Sequence, residues 1–170
     1  MSDISQPESR FREGIVALLP RLRRFARSLS RHASDADDLV QAVVERALLN
    51  RHQWQAESRL DSWLFRIMRN AWIDETRARA RRAQVLAPEE AGADVGESVT
   101  DALIHGLSVQ AAMAQLPDEQ RLAVSLVLVE GLSYKESAAI LDIPIGTLTS
   151  RLARGRETLQ RLLTDGDGPM

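Results

Sequence analysis

The chain of 170 residues contains no cysteine, a single lysine, and aromatic residues at only 4%. Each shortage excludes something. Without cysteine there are no disulfides and no thiolate metal sites. His32, His52 and His105 are scattered, with no acidic partner at ligand spacing, so no metal and no cofactor is expected. No apolar run approaches the roughly 18 residues of a membrane span, and the opening MSDISQPESR lacks the apolar core of a signal peptide. Membrane insertion is therefore not expected, and the expected location is cytoplasmic. No nucleophile, paired carboxylates or phosphate-cradling glycine loop converges, which argues against an enzyme and against a small-molecule substrate.

What is present is ordinary in amount and uneven in placement. Hydrophobic residues make up 44% and charged residues 27%, a soluble composition. The net charge of −2 conceals segregation: residues 1–83 carry sixteen arginines against eleven acids, residues 84–101 carry five acids and no base, and residues 102–170 carry six bases against eight acids. Arginine suits two-pronged contacts to phosphate and base edges, although GC-rich coding also raises its frequency.

Helical periodicity runs through the chain and no strand pattern emerges. Ile15, Leu18, Leu19, Leu22, Ala26 and Leu29 share a face, with Pro20 expected to kink or split that helix. A second helix is expected from Ser34, with Asp37 placed for a reciprocal cap, and its stripe is Leu39, Val40, Val43, Val44, Ala47 and Leu48. Residues 51–60 read as a loop, after which Asp61 is placed to cap a helix burying Leu64, Ile67, Met68 and Ala71. The stretch VLAPEEAGADVGES, residues 85–98, has little to bury and reads as a flexible linker. Helices are then expected over residues 100–115, from Asp118 to Val129, after a Ser133/Glu136 capping box, and from Pro144 to about Leu163. The fold class is all-α: two small helical domains, residues 10–83 and 102–163, joined by a flexible acidic linker at 84–101.

The last two helices, separated by the turn Leu141-Asp142-Ile143, have the helix-turn-helix layout. On a helical wheel Ile145, Leu148, Leu152, Leu159 and Leu162 form a narrow apolar stripe, while Ser150, Ala153, Arg154, Glu157 and Arg161 point away from it. That face suits a major groove. Thr149 and Ser150 can donate or accept, and Arg154 can pair with guanine. Thr147 and Arg151 are better placed for phosphates, which position without specifying.

These motifs carry a family resemblance. "LPDEQRLAVSLVLVEGLSYKESAAILDIPIGTLTSRLARGRETL" resembles the fourth conserved region of bacterial sigma-70 family sigma factors, "DADDLVQAVVERAL" the second region, and "SWLFRIMRNAWIDETRARAR" the helix that reads the minus-ten promoter element. Their order and spacing resemble the extracytoplasmic-function (ECF) group. The resemblance implies a stress-response type of transcription initiation factor that binds core RNA polymerase, directs it to promoter DNA, and is held in check by an anti-sigma factor. It implies that Asp37, Asp38, Leu39, Gln41 and Val44 dock on the polymerase, although Leu39 and Val44 are equally readable as core. It implies that residues 51–61 capture an unstacked base, with Trp54 as wall and Arg59 as clamp. Trp54 is equally suited to anchoring the loop in the core. Asn70 would touch the minus-ten base, and Arg66, Arg69 and Arg77 would hold strand phosphates. By the same resemblance Trp63 is core.

Two departures from the family pattern stand out. Thr149 occupies a position where relatives often carry Lys or Arg, so the minus-thirty-five preference should differ. The scarcity of aromatics implies weak strand opening and a demand for near-ideal promoters. Two rival readings remain: a helix-turn-helix regulator that dimerises on paired half-sites, and a sigma mimic that binds an anti-sigma factor without touching DNA. The second-region resemblance argues against the first; the retained Arg66, Ser150 and Arg154 argue against the other.

Overall fold

Apolar residues at three- and four-residue spacing build helix α1, Ser5–Leu29. In the computed structural model, which describes residues 5–85 and 108–165, its buried face is Phe11, Ile15, Leu22, Phe25, Ala26 and Leu29. The helix passes through Pro20 as one element rather than splitting. Proline there removes one amide donor and frees the carbonyl of Val16. Both residues are exposed, so solvent can satisfy what the helix does not.

Helix α2 spans Ala33–Leu49 and buries Ala36, Leu39, Val40, Val43 and Ala47. The expected Ser34/Asp37 cap does not form: His32 takes the N-cap position in extended conformation, with no side-chain cap bond. Ser34 is thus already inside the helix, where its hydroxyl cannot reach a free first-turn amide. A 3-10 turn at Arg51–Gln53 leads through an irregular loop to α3, Leu60–Val85. Asp61 lies inside the first turn of α3 rather than capping it. Its carboxylate accepts from the Ser62 amide at 2.8 Å but is otherwise turned to Arg21 and Arg59. Two guanidinium groups outbid the remaining free amides of the turn, because charge-assisted bonds are the stronger ones. Leu64, Phe65, Met68, Ala71 and Trp72 are buried on α3, while Ile67 packs only partly.

Most of the acidic linker, residues 86–101, lies outside the described residues, as does the first part of the helix expected over 100–115. Helix α4, Val109–Gln115, begins at Ser108, whose hydroxyl accepts from the Ala111 amide at 3.1 Å. Helix α5, Asp118–Val124, widens into one π turn, Ser125–Val129, and ends before Gly131, whose φ of 69° is left-handed. The Ser133/Glu136 capping box forms and starts α6, Tyr134–Leu141. Asp142 closes α6 in the left-handed conformation, and α7 follows as Ile145–Asp165.

The two halves do not stand apart. Their buried residues form one continuous cluster, from Phe11 and Phe25 through Trp72 and Met113 to Leu148 and Leu152. Phe25 and Phe65 meet edge-to-face at 5.1 Å, and each such fully buried side chain is worth roughly 1.5–3 kcal/mol. At the joint lies Arg121, which is 5% exposed. It donates to the carbonyls of Met113, Ala114 and Leu116 at the end of α4, at 2.7–2.8 Å. It also reaches the carbonyl of Leu29, the last residue of α1, at 3.0 Å. Helix ends leave carbonyls without intrahelical partners, and one five-donor fork serves two helices at once.

Candidate nucleic-acid interface

The surface expected to read the major groove begins with a turn whose amides are paired. The Asp142 amide donates to Ala139 at 3.3 Å and the Ile143 amide to Ala138 at 3.1 Å; the Pro144 carbonyl accepts from Leu148 at 3.1 Å. Helix α7 is then pinned from behind. Leu148, Leu152 and Gly155 are buried, and a Cβ on Gly155 would stand 2.7 Å from Cγ2 of Val124. Only glycine permits so close a crossing of α7 on α5. Ile145, expected within the apolar stripe, is 51% exposed instead; the first turn of α7 projects beyond the core that holds Leu148.

Thr149, Ser150, Ala153 and Arg154 are all exposed on the face away from Leu148 and Leu152. The Thr149 hydroxyl donates to the Ile145 carbonyl at 2.9 Å, and the Ser150 hydroxyl donates to the Gly146 carbonyl at 3.1 Å. In this arrangement their protons are spent on their own helix, and they face outward as acceptors. Arg154 makes no such commitment among the described residues. Thr147 and Arg151 are half-buried at the flank, with Arg151 3.5 Å from Glu119.

The residues expected to read the opened strand are placed differently. Arg66 is exposed, yet its Nη2 donates to the carbonyl of Ala139 at 2.8 Å. Arg69 donates to the carbonyl of Leu141 at 3.1 Å and to Oδ1 of Asn70 at 2.9 Å. Arg59 forks onto Asp61, with contacts at 3.1 and 2.7 Å, and also pairs with Glu136. Arg77 is exposed and makes no ion pair among the described residues. Trp54 is half-buried with its ring 5.4 Å from Phe11, and its indole nitrogen is buried without an acceptor. Trp63 packs on the same ring at 6.1 Å. Phe11 thus ties both tryptophans to α1.

Electrostatics follow the pairing. Burial alone would raise the Asp61 carboxyl, but hydrogen bonds from Arg59 and Arg21 and from the Ser62 amide outweigh it and hold it below the usual carboxylate range. The bond to Asp61 raises Arg59, and the bond to Glu130 raises Arg24. Burial pulls the Arg121 guanidinium down, with Asp118 opposing; arginine nonetheless stays charged.

A third surface lies between α1 and α2. Leu19, Val40, Val44 and Leu48 floor an open groove of about 800 Å³, with Arg23 and Arg27 on one rim and Asp37, Gln41 and Glu45 also lining it. Asp38 is exposed on α2, whereas Leu39 is buried beneath and supports the helix from within. The sequence reading missed Arg23 and Arg27; their four-residue spacing on the polar side of α1 was the available signal. It also missed the Arg21–Arg24–Glu130 cluster, whose acid lies more than 100 positions from its bases, and Arg121, whose partners are backbone carbonyls and so leave no side-chain pattern. Among the described residues no group of three or more His, Asp or Glu side chains is placed to hold a metal ion, and no helix is long and apolar enough to cross a membrane.

Comparison with known proteins bears on both halves. Residues 15–69 match the family described as the Sigma2 domain of PhyR, and residues 106–159 match sigma-70, region 4. The chain is 40% identical over 152 residues to the ECF RNA polymerase sigma factor EcfG of Rhodopseudomonas palustris, covering 89% of this chain and 84% of that one. It is 38% identical over 142 residues to the ECF sigma factor SigM of Mycobacterium tuberculosis, covering 84% and 71%. Among solved structures, the sigma factor RpoE of Bartonella quintana, crystallised with the anti-sigma factor NepR, superposes with a TM-score of 0.75 at 33% identity, over 91% of this chain and 96% of that one.

Proposed function

The chain belongs to the ECF RNA polymerase sigma factors, and on that premise we propose how its residues divide the work of initiation. The groove between α1 and α2, with Asp37, Gln41 and Val44 on the α2 side, seats on core RNA polymerase together with Asp38, exposed on the same helix; Arg23 and Arg27 complete its opposite rim. Helix α7 enters the major groove of the minus-thirty-five element. Arg154 reads a guanine, Ser150 and Thr149 accept from exocyclic amines, Ala153 leaves room for the groove floor, and Thr147 and Arg151 meet phosphates. Arg59, Arg66, Arg69, Asn70 and Arg77 hold the opened minus-ten strand, with Trp54 supporting the loop from behind.

Residues 10–83 act as the second-region domain and 102–163 as the fourth-region domain, with 84–101 as the acidic tether between them. The protein itself performs no chemistry; polymerase does. It works in the cytoplasm, where polymerase and promoter DNA are found. An anti-sigma factor is its regulator, a reading supported by the crystallised relative bound to one.

The observation that carries this reading is α7: a helix fixed by buried Leu148, Leu152 and Gly155 that turns a solvent-exposed polar and arginine face outward. It sits on the same chain as a second-region domain. Reconstitution with core polymerase on a genomic library, followed by mapping of transcript starts, tests it. A shared upstream motif at the new starts is expected. Starts without a common motif, or a chain that does not co-migrate with core polymerase, would overturn it.

A further inference from the structure

Three groups on this chain have unusual partners. Glu130, at the end of the π turn, has a fully buried carboxylate. It takes a two-pronged contact from Arg24, at 3.0 and 2.9 Å, and a third bond from Arg21 at 3.3 Å. Arg21 passes on to Asp61 at 2.9 Å, Asp61 is forked by Arg59, and Arg59 ends on Glu136 of α6. Alternating charges thus run Arg24–Glu130–Arg21–Asp61–Arg59–Glu136, crossing between the N-terminal helices and the helix-turn-helix half three times. The third group is the pair Arg66 and Arg69, which donate to carbonyls of Ala139 and Leu141 in the last turn of α6. A helix C-terminus carries partial negative charge and free carbonyls. To an arginine it offers what a strand phosphate offers, in weaker form.

We propose that the isolated chain is self-inhibited: α6 occupies Arg59, Arg66 and Arg69 in place of the minus-ten strand, and the Glu130 and Glu136 contacts hold it there. This rests on the assignment of those arginines to DNA made above. The mask is selective. Of the arginines assigned to the minus-ten strand only Arg77 is left unengaged, while the outward face of α7 and the groove between α1 and α2 remain open. Polymerase and the minus-thirty-five element can therefore be met before the halves part, whereas the minus-ten strand cannot. Full phosphates compete for the same donors more strongly than carbonyls do, so the mask yields once DNA is held nearby at high effective concentration.

The absence of native cysteine makes the test direct. Ala17→Cys and Gln160→Cys place one probe on α1 and one on α7, both at exposed positions, for distance measurement on the full chain. A labelled mixed-sequence single strand of DNA reports access to the arginines without polymerase. The wild-type background should give one narrow distance distribution. Glu130→Gln with Glu136→Gln should lengthen and broaden it and tighten DNA binding by at least about fivefold, the lower end of typical coupling between sites. Glu13→Gln with Asp165→Asn removes the same charge away from these contacts and should change neither. Should burial of Glu130 make its variant fold poorly, Arg24→Gln with Glu136→Gln removes the two-pronged Glu130 contact and the Glu136 contact at more exposed side chains.

A broad distribution in the wild type, unaltered by either pair of substitutions, overturns the closure. A distance that opens while DNA binding matches the charge control overturns the mask. In that second case Arg66→Ala is assayed in promoter opening with polymerase: loss of opening leaves the DNA assignment standing and removes only the self-inhibition, while unchanged opening removes the assignment itself.

Discussion

Arg154 and Arg77 are both exposed, and the proposed function gives them opposite duties. Arg154 stands on the reading face of α7, so Arg154→Ala should cost about 1–3 kcal/mol at one minus-thirty-five position and little at the others. Arg77 is placed for phosphate, so Arg77→Ala should weaken every promoter alike and flatten the salt dependence of binding. Transcription from a panel of single-base promoter variants separates the two; equal effects of both changes across the panel would contradict the division. Arg121 shows why arginine count alone misleads. From the sequence it is one more base in a helix, yet it is buried and serves four carbonyls. Arg121→Met fills much of the volume and strips the donors. It should destabilise by about 2 kcal/mol, mostly by orphaning carbonyls, measured as a lower urea midpoint. An unchanged midpoint would mean that solvent reaches those carbonyls.

Elements were legible where local rules act alone. The Ser133/Glu136 box, the helix ending before Gly131 and the turn at Asp142 all rest on contacts within a few residues, and all are present. Expectations failed where a distant group intervened. Asp61 was placed to cap α3 and is instead turned to Arg21, forty residues away. Ile145 has the right helical phase but no neighbour to cover it. Gly155 is the converse case: an ordinary helix glycine in sequence, and the point of closest approach between α5 and α7 in space. Gly155→Ala gains about 1 kcal/mol of helix propensity but forces a methyl group against the stiff side chain of Val124, an overpacking cost of about 1–3 kcal/mol. The balance should be destabilising and should weaken minus-thirty-five binding by tilting α7. Adding Val124→Ala should cost less in this background than in the wild type, by about 1 kcal/mol of coupling. Strict additivity in thermal melts would count against the clash.

The charged run from Arg24 to Glu136 belongs to the whole molecule. Among its members Asp61 has a folded carboxyl that sits below its ordinary value of 3.8. A depressed carboxylate contributes stability that is present above the unfolded value and is lost as pH falls through the folded one. The stability difference between the wild type and Asp61→Asn should therefore hold steady at neutral pH and shrink as the pH is taken below about 3.8. A difference that stays constant through the acid limb would show that Asp61 gains nothing from Arg21 and Arg59. Added salt should act chiefly on the Arg59–Glu136 end, where the arginine is 56% exposed, and less on Glu130, whose side chain is fully buried.

The sequence by itself determined the helices, the capping box, the helix-turn-helix, and the separation of a basic half from an acidic joint. Periodicity, caps and turn residues act over a few positions and can be read along the chain. The tertiary structure decided which arginines are free and which are spent, because burial and pairing depend on residues such as Arg24 and Glu130 that lie 106 positions apart. A one-dimensional pattern counts charges; only packing sets the distance and solvent exposure on which their energies depend.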